Sequence, residues 1–472
     1  MRMKPQHQRR LRLHLRGLAA ALALQALAAL ATLAALAAPA FAQTSASSVL
    51  THPVSPGAPA HGQAYPDAPP DMRLERAVIV MRHGVRAATD TPKMNAASAQ
   101  PWPDFEVKDG QLTPHGYQAV VLLGRWERDY FQRLGLLGTG GCEVAGDTFV
   151  WSSPASRTQA TAKALLEGMF PGCQVPVGHA TVKTDTLFHG SELGLGTPDP
   201  AKARAAILQA MGGDPERARR KYAADVAAMA EVVGAPADCV VRRGANACGL
   251  YAKPWGVKDD MKAGLSGPVS VGASMSETIR MQYADGWPLE RIAFGHVKGA
   301  DDVVRLMGLR SAKYDLVNHT PYLARRGGSQ LLSQVAMAVE ARQDVQGGPP
   351  PARLTVFVAH DTNISQLRAM LGFDWKLGNY RDNDAVPGGT LLFERFVRDR
   401  DGKRFVRVSY LAQSLDQMRH LTPLGEGQMP LRAVYRPERG GPDWMTVDQF
   451  RERVGAVVDP QAIAPESYAT VK

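Results

Sequence analysis

Two short, wholly apolar runs, each broken off at a histidine, constrain this chain more than any other feature. Ala77-Val78-Ile79-Val80-Met81 is bounded by charge and stops at Arg82-His83-Gly84. Leu354-Thr355-Val356-Phe357-Val358-Ala359 stops at His360-Asp361-Thr362-Asn363. Runs of this length without polar alternation predict strands buried on both faces, as in parallel sheet covered by helices. Ligands of open α/β sheets gather beyond the carboxyl ends of the strands. The two histidines are 277 residues apart in sequence, yet that rule can bring them to one site.

The rest of the chain fits around these strands. Thr113 is an N-cap and Pro114 opens a helix that runs to about Leu134. Gly124 in its middle costs about 1 kcal/mol relative to alanine, which points to close packing or a bend. Thr148-Phe149-Val150-Trp151 reads as a further strand, followed by a helix over about 156–169 with Ala162, Leu165, Leu166 and Met169 on one face. Helical segments are expected at 200–211, 215–233, 274–284, 300–308 and 329–343, with weak strand signals between them. After the second apolar run, a helix to about Leu371 precedes a hairpin of Thr390–Val397 and Phe405–Leu411 around Asp399-Arg400-Asp401-Gly402. The expected fold is α/β, a central mixed, mostly parallel sheet flanked by helices. It is assigned to residues 71–190 and 346–472, with an inserted all-helical domain at 191–345.

The amino terminus carries a different message. Residues 2–16 are rich in arginine without acids, residues 17–38 are almost wholly Ala and Leu, and Ala40-Phe41-Ala42 follows. This is the pattern of a cleavable signal peptide over 1–42, with Gln43 as the first mature residue and a flexible leader over 43–70. A periplasmic or secreted protein is expected, with no membrane partner after cleavage. The formal charge of +10 includes six Lys/Arg from residues 1–42, so the remainder carries +4. Its basic residues are interleaved with acids and form no stripe, which argues against a nucleic-acid partner. Four cysteines, Cys142, Cys173, Cys239 and Cys248, suggest two disulfides in an exported chain. Three pairings are open, and the local one, Cys142–Cys173 with Cys239–Cys248, is the simplest. None lies beside a histidine cluster, so no metal site is expected.

The chemistry concentrates at the strand ends. Arg82 and Arg86 flank His83 at offsets −1 and +3. Guanidinium groups suit phosphate oxygens, and a neutral histidine nitrogen can attack phosphorus. Thr89 adds a hydroxyl donor. His360 can hydrogen-bond a phosphate, and Asp361 is the nearest proton donor for a leaving alkoxide. Arg157, in Ser156-Arg157-Thr158, stands where a helix start already favours an anion. The pieces compose a two-step phosphoryl transfer through phosphohistidine, with arginines carrying the charge a metal would otherwise offset, so no cofactor is expected. Plainer readings exist for each element: a basic surface loop, a helix cap at Asp361-Thr362, a salt bridge for Arg157.

Taken together, Arg82-His83-Gly84-Val85-Arg86-Ala87-Ala88-Thr89 resembles the R-H-G-x-R-x-x-T signature of the histidine acid phosphatases. His360-Asp361 resembles their H-D signature, and Leu112-Thr113-Pro114, Ser156-Arg157-Thr158 and Pro387-Gly388-Gly389-Thr390-Leu391-Leu392-Phe393-Glu394 extend the likeness over about 72–460. The resemblance implies His83 as nucleophile, Asp361 as proton donor, and phosphate binding by Arg82, Arg86, Arg157 and His360 with Thr89 nearby. It also implies the cysteine pairing 142–173 and 239–248. The branch it is most similar to holds bacterial periplasmic phytases and glucose-1-phosphatases. His360-Asp361-Thr362-Asn363 and Asp382-Asn383 with Pro387-Gly388-Gly389 look like the phytases, whereas Met281-Gln282-Tyr283-Ala284-Asp285-Gly286-Trp287-Pro288 looks more like the glucose-1-phosphatases. Asp90 departs from the phytases, which commonly have a basic residue there. The expected partner is thus a small phosphomonoester, phytate or a sugar phosphate. A phosphohistidine mutase and a non-catalytic phosphate-ester receptor are the readings from other classes.

Overall fold

The apolar run at 77–81 forms the inner half of β1 (Met72–Arg82), and the run at 354–359 is β6 (Leu354–Ala359). They lie side by side and parallel, with Ala77 opposite Leu354 and Arg82 opposite Ala359. The computed structural model describes residues 68–69, 71–181, 185–192, 194–258, 264–341 and 347–468. The expected signal peptide and almost all of the expected leader lie outside them. The other strands are β2 (Thr148–Ser152), β3 (Gly178–His179), β4 (Gly256–Val257), β5 (Leu265–Ser266), β7 (Thr390–Arg398), β8 (Arg404–Ala412), β9 (Leu431–Val434) and β10 (Met445–Thr446). Eight of the strands make one mixed sheet in the order β10-β8-β7-β1-β6-β2-β3, with β9 also on β8. The pairs β1–β6, β6–β2 and β2–β3 are parallel, and the hairpin side is antiparallel.

Successive side chains of a strand point to opposite faces, so a strand apolar throughout needs cover on both. On one face, Ala77, Ile79, Met81, Leu354, Val356 and Val358 pack under α2 (Pro114–Arg133) and α3 (Ser156–Met169); the first helix of the described chain, α1 (Thr91–Asn95), is short. The glycine in α2 is explained by close packing. A Cβ on Gly124 would stand 2.3 Å from the Leu165 carbonyl oxygen, and one on Gly168 would stand 2.2 Å from that of Val121. On the other face, Val78, Val80, Phe357 and Ala359 belong to a larger core shared with the helices of the 200–340 region.

Those helices are α4 (Pro200–Ala210), α5 (Pro215–Lys221), α6 (Ala223–Val233), α7 (Ala237–Arg243), α8 (Pro268–Ala284), α9 (Ala300–Leu306), α10 (Gly308–Lys313) and α11 (Pro321–Glu340). The expected helix 215–233 is two, because Tyr222 leaves helical geometry at φ −103° and ψ 13°. Two others begin earlier than their apolar spacing suggested, at Pro268 and Pro321, where proline at the first position presets the helical φ. Gly327-Gly328 weakened the signal in α11. A Cβ on Gly327 would fall 2.1 Å from Gln366 Nε2 on α12 (Asp361–Leu371), so the glycine admits that helix. The chain closes with α13 (Leu415–Arg419) and α14 (Val447–Val457). Disulfides join Cys142 to Cys173 and Cys239 to Cys248. Among the described residues, no helix is long and apolar enough to cross a membrane.

Candidate active site

The register of β1 on β6 decides where the chemistry falls. With Arg82 opposite Ala359, both chains leave the sheet together, and the His83 amide donates to the Ala359 carbonyl at 3.1 Å. The imidazoles of His83 and His360 then stand edge to face, their centroids 5.8 Å apart. β2 lies on the far side of β6 and leads through Ser153 into α3, whose first turn carries Arg157. Arg157 Nη2 lies 3.2 Å from His360 Nδ1, and Ser153 Oγ lies 2.9 Å from His360 Nε2. A guanidinium has only donors, so Nδ1 accepts and Nε2 carries the hydrogen given to Ser153. Three strands therefore bring Arg82, His83, Arg157, His360 and Asp361 together at their carboxyl ends. Arg86 is buried in the loop after β1 and acts electrostatically on His83. Thr89 sits exposed at the end of that loop and makes no hydrogen bond to the group.

His83 is held in one tautomer. Its Nδ1 lies 2.9 Å from the Gly84 carbonyl oxygen, an acceptor only, so Nδ1 carries the proton and Nε2 keeps its lone pair. Burial holds its pKa well below the ordinary histidine value, and repulsion from Arg82, Arg157 and Arg86 adds to the effect. His360 is held low in the same way, first by burial and then by Arg157. Both rings thus stay neutral in acid that protonates a free histidine. Neither Arg86 nor Arg157 forms an ion pair with a described carboxylate. The strand ends thus gather positive charge around a neutral histidine, an arrangement that favours an anion.

Asp361 faces the opposite side of this cluster of charge. Its Oδ1 accepts from the Thr362 amide at 2.9 Å, and Oδ2 accepts from Tyr314 Oη at 2.9 Å, pairs with Arg310 and lies 3.5 Å from Arg82 Nη2. Arg82 also donates to the Ala385 carbonyl and to Glu277. Glu277 in turn meets Arg280 and stands 3.4 Å from Arg310 Nε, while Arg280 Nη1 reaches Asp384 Oδ1 at 2.7 Å. Against its burial, Arg280, Arg82 and Arg310, with Arg86 adding from farther off, hold Glu277 well below the usual carboxylate range. Reading the sequence alone missed Glu277, Arg280, Arg310, Tyr314 and Asp384. A signal existed for the first two: charged residues three apart inside a helix otherwise buried nearly all round. Among the described residues, no cluster of His, Cys, Asp or Glu side chains is arranged to hold a metal.

Residues 73–411 match the family described as the histidine phosphatase superfamily (branch 2). Phytase AppA of Escherichia coli (strain K12) is 31% identical over 78% of this chain and 87% of its own length. The glucose-1-phosphatase of Salmonella typhimurium is 27% identical over 75% of this chain and 85% of its own. Among solved structures, the phytase of Klebsiella sp. ASR1 superposes with a TM-score of 0.77 at 31% identity, over 85% of this chain and all of that one. The Hafnia alvei phytase in complex with myo-inositol hexakis sulphate gives 0.77 at 29%, over 84% of this chain and all of that one.

Proposed function

The chain belongs to the histidine phosphatase superfamily (branch 2), and from that premise we propose that it is an acid phosphatase whose preferred substrate is phytate, myo-inositol hexakisphosphate. The observation that carries this reading is the neutral His83, its Nδ1 hydrogen tied to Gly84 and its Nε2 free beside Arg82, Arg86 and Arg157. The Nε2 lone pair attacks phosphorus in line as the bond to the ester oxygen breaks, giving phosphohistidine. The guanidinium groups, with His360, offset charge on the transferring oxygens. Asp361 gives its proton to the leaving alkoxide, then takes one from the water that attacks phosphohistidine, which releases phosphate and restores His83. Thr89, at the end of the same loop, is proposed to join the substrate contacts through its hydroxyl. We place the enzyme in the periplasm or outside the cell, a reading supported by the signal-like amino terminus and the two disulfides.

The likeness to phytases of known structure supports phytate over glucose 1-phosphate, and Asp90, an acid at odds with a polyanionic substrate, has one carboxylate oxygen engaged at a helix start. Its Oδ1 accepts the Lys93 amide at 3.2 Å and caps α1. The test is phosphate release by purified protein at about pH 5, since the first step needs a proton for the leaving oxygen. A kcat/KM for phytate above that for glucose 1-phosphate is expected, together with an acid-labile phosphohistidine trapped on His83. A preference for glucose 1-phosphate would replace the phytase reading. Absence of both turnover and the covalent intermediate would overturn the phosphatase reading itself.

A further inference from the structure

A second cluster of cations lies beside the catalytic one, on α1, α8 and α10. Ser276 Oγ donates to the Leu306 carbonyl at 2.7 Å, and a Cβ on Gly272 would meet Leu309 Cδ1 at 2.3 Å. The chain through α9 and α10 therefore runs antiparallel to α8. Continued along α10, that register brings Lys313 level with the first turn of α8, near Ser270. Lys93, on α1, reaches the same place from the other side, with Nζ 3.3 Å from the Ser270 carbonyl oxygen. Met94 anchors α1 there, buried with its sulfur 3.5 Å from Thr278 Oγ1. Arg310 is one turn back from Lys313 on the same face of α10 and reaches Asp361 and Glu277. Arg310 thus links the catalytic acid to the two lysines.

These lysines lack acidic partners. Both are exposed, and neither forms an ion pair with a described residue. Lys313 is exposed yet partly desolvated by the protein around it. That partial desolvation, followed by repulsion from Arg310 and Lys93, draws its pKa down to about 8. Glu277 pulls the other way, but it is already shared among Arg82, Arg280 and Arg310. Like charges gathered without counter-charge raise the energy of the free protein, and an anion arriving between them relieves it.

We propose that Lys93 and Lys313, joined by Arg310, form a second anion subsite that takes a further phosphate of a polyphosphorylated polyol while His83 attacks the first. This rests on the phosphatase reading above and deepens it. It assigns the substrate class to positions that follow Asp90 on α1 and Arg310 on α10. The task of discriminating a polyphosphate from a monophosphate falls to these two lysines.

The test is calorimetric binding of two non-hydrolysable ligands, myo-inositol hexakis sulphate and inorganic sulfate, to the wild-type protein and to the Lys93→Gln/Lys313→Gln variant. Two lost charge-assisted contacts are expected to weaken the hexakis sulphate by about tenfold or more, and inorganic sulfate by much less. An unchanged hexakis sulphate affinity overturns the proposal. So does an equal loss for both ligands, which would mean only a general field. Should the double variant fail to fold, Lys93→Gln alone, at an exposed position, reads the same difference. Phosphate release from p-nitrophenyl phosphate is measured separately. Its failure with the binding difference intact would sink the phosphatase reading and leave the subsite standing.

Discussion

Two regions of this protein bury arginines beside acids, and they are built to different ends. Under the hairpin, Glu394 on β7 meets Arg407 on β8 at 2.9 Å, Arg432 on β9 at 2.7 Å and the Tyr130 hydroxyl of α2 at 2.5 Å. Arg407 and Arg432 also donate to Tyr130 Oη, at 3.1 and 3.0 Å. Both carboxylate oxygens are used and every cation faces the acid, which is held down to about pKa 2 against its burial, chiefly by those two arginines. At the strand ends the same residue types leave Arg86 and Arg157 without an ion pair to any described carboxylate, Glu277 reaching Arg86 only through its field, beside two neutral histidines. The first cluster is complete in itself. On the proposed reading, the second is completed by the substrate's phosphate. Charge left uncompensated in a buried place separates a site from a brace, since leaving it so costs stability that only a ligand offsets.

The largest expected effect breaks the comparison at the site. His83→Ala should lower kcat by about 10⁴-fold or more, the loss typical of removing a nucleophile. Its thermal unfolding should change far less than its activity, because the ring's hydrogen bond is to the Gly84 carbonyl and its other contact is with the neutral His360 ring. Near-normal phosphate release by H83A would end the assignment. The converse holds at the brace. Glu394→Gln removes the acid from between two guanidinium groups and should cost about 3–5 kcal/mol in urea unfolding, with kcat of the folded protein unaffected. Equal stability of E394Q and wild type would mean that Arg407 and Arg432 find other partners. Between these lies Asp361→Asn, expected to cost roughly 10²–10³-fold on phytate and far less on p-nitrophenyl phosphate, whose leaving group needs no proton. Equal losses on both substrates would remove Asp361 from the role of acid.

The brace and the site were unequally legible in the sequence. The strands ending at Arg82 and Ala359 announced themselves because a run apolar on both faces has few other uses, and the histidines followed at once. Their adjacency came from the rule on strand ends. The pairing of Arg82 with Ala359 then made it exact to the residue. Glu277, Arg310 and Tyr314 stayed hidden because they arrive from α8, α10 and the turn after it, whose positions depend on tertiary packing that no local pattern encodes. Thr89 was grouped with the site by its hydroxyl and by its place in the R-H-G-x-R-x-x-T pattern, and it stands exposed. Glu394 was visible only as part of a motif. That its partners come from Arg407, Arg432 and Tyr130 depends on hairpin register and on α2. The short strands β3, β9 and β10 escaped notice because two to four residues carry no period.

The smallest expected effect concerns a buried acid that belongs to neither cluster. Glu127 stands one turn before Tyr130 on α2, and neither carboxylate oxygen has a hydrogen-bond partner among the described residues. Burial alone lifts its pKa from 4.5 to about 8. Glu394, bonded to that Tyr130 from β7, is lowered from the same 4.5 to about 2. The two acids therefore bend stability in opposite directions and in separate windows of pH. Glu394 contributes fully above about pH 4.5, and its contribution is lost as pH falls toward 2. Below about 4.5 Glu127 is protonated in both folded and unfolded chains and contributes no slope. Between about 4.5 and 8 only the unfolded chain releases the proton, so stability falls as pH rises, by up to about 1.4 kcal/mol per unit. Glu127→Gln removes that slope and should make the protein more stable than wild type near neutrality, with little difference at about pH 4. Urea unfolding across this range checks it. Parallel stability curves for E127Q and wild type would mean that a partner for Glu127, supplied by solvent inside α2's packing, holds its charge as the arginines hold that of Glu394.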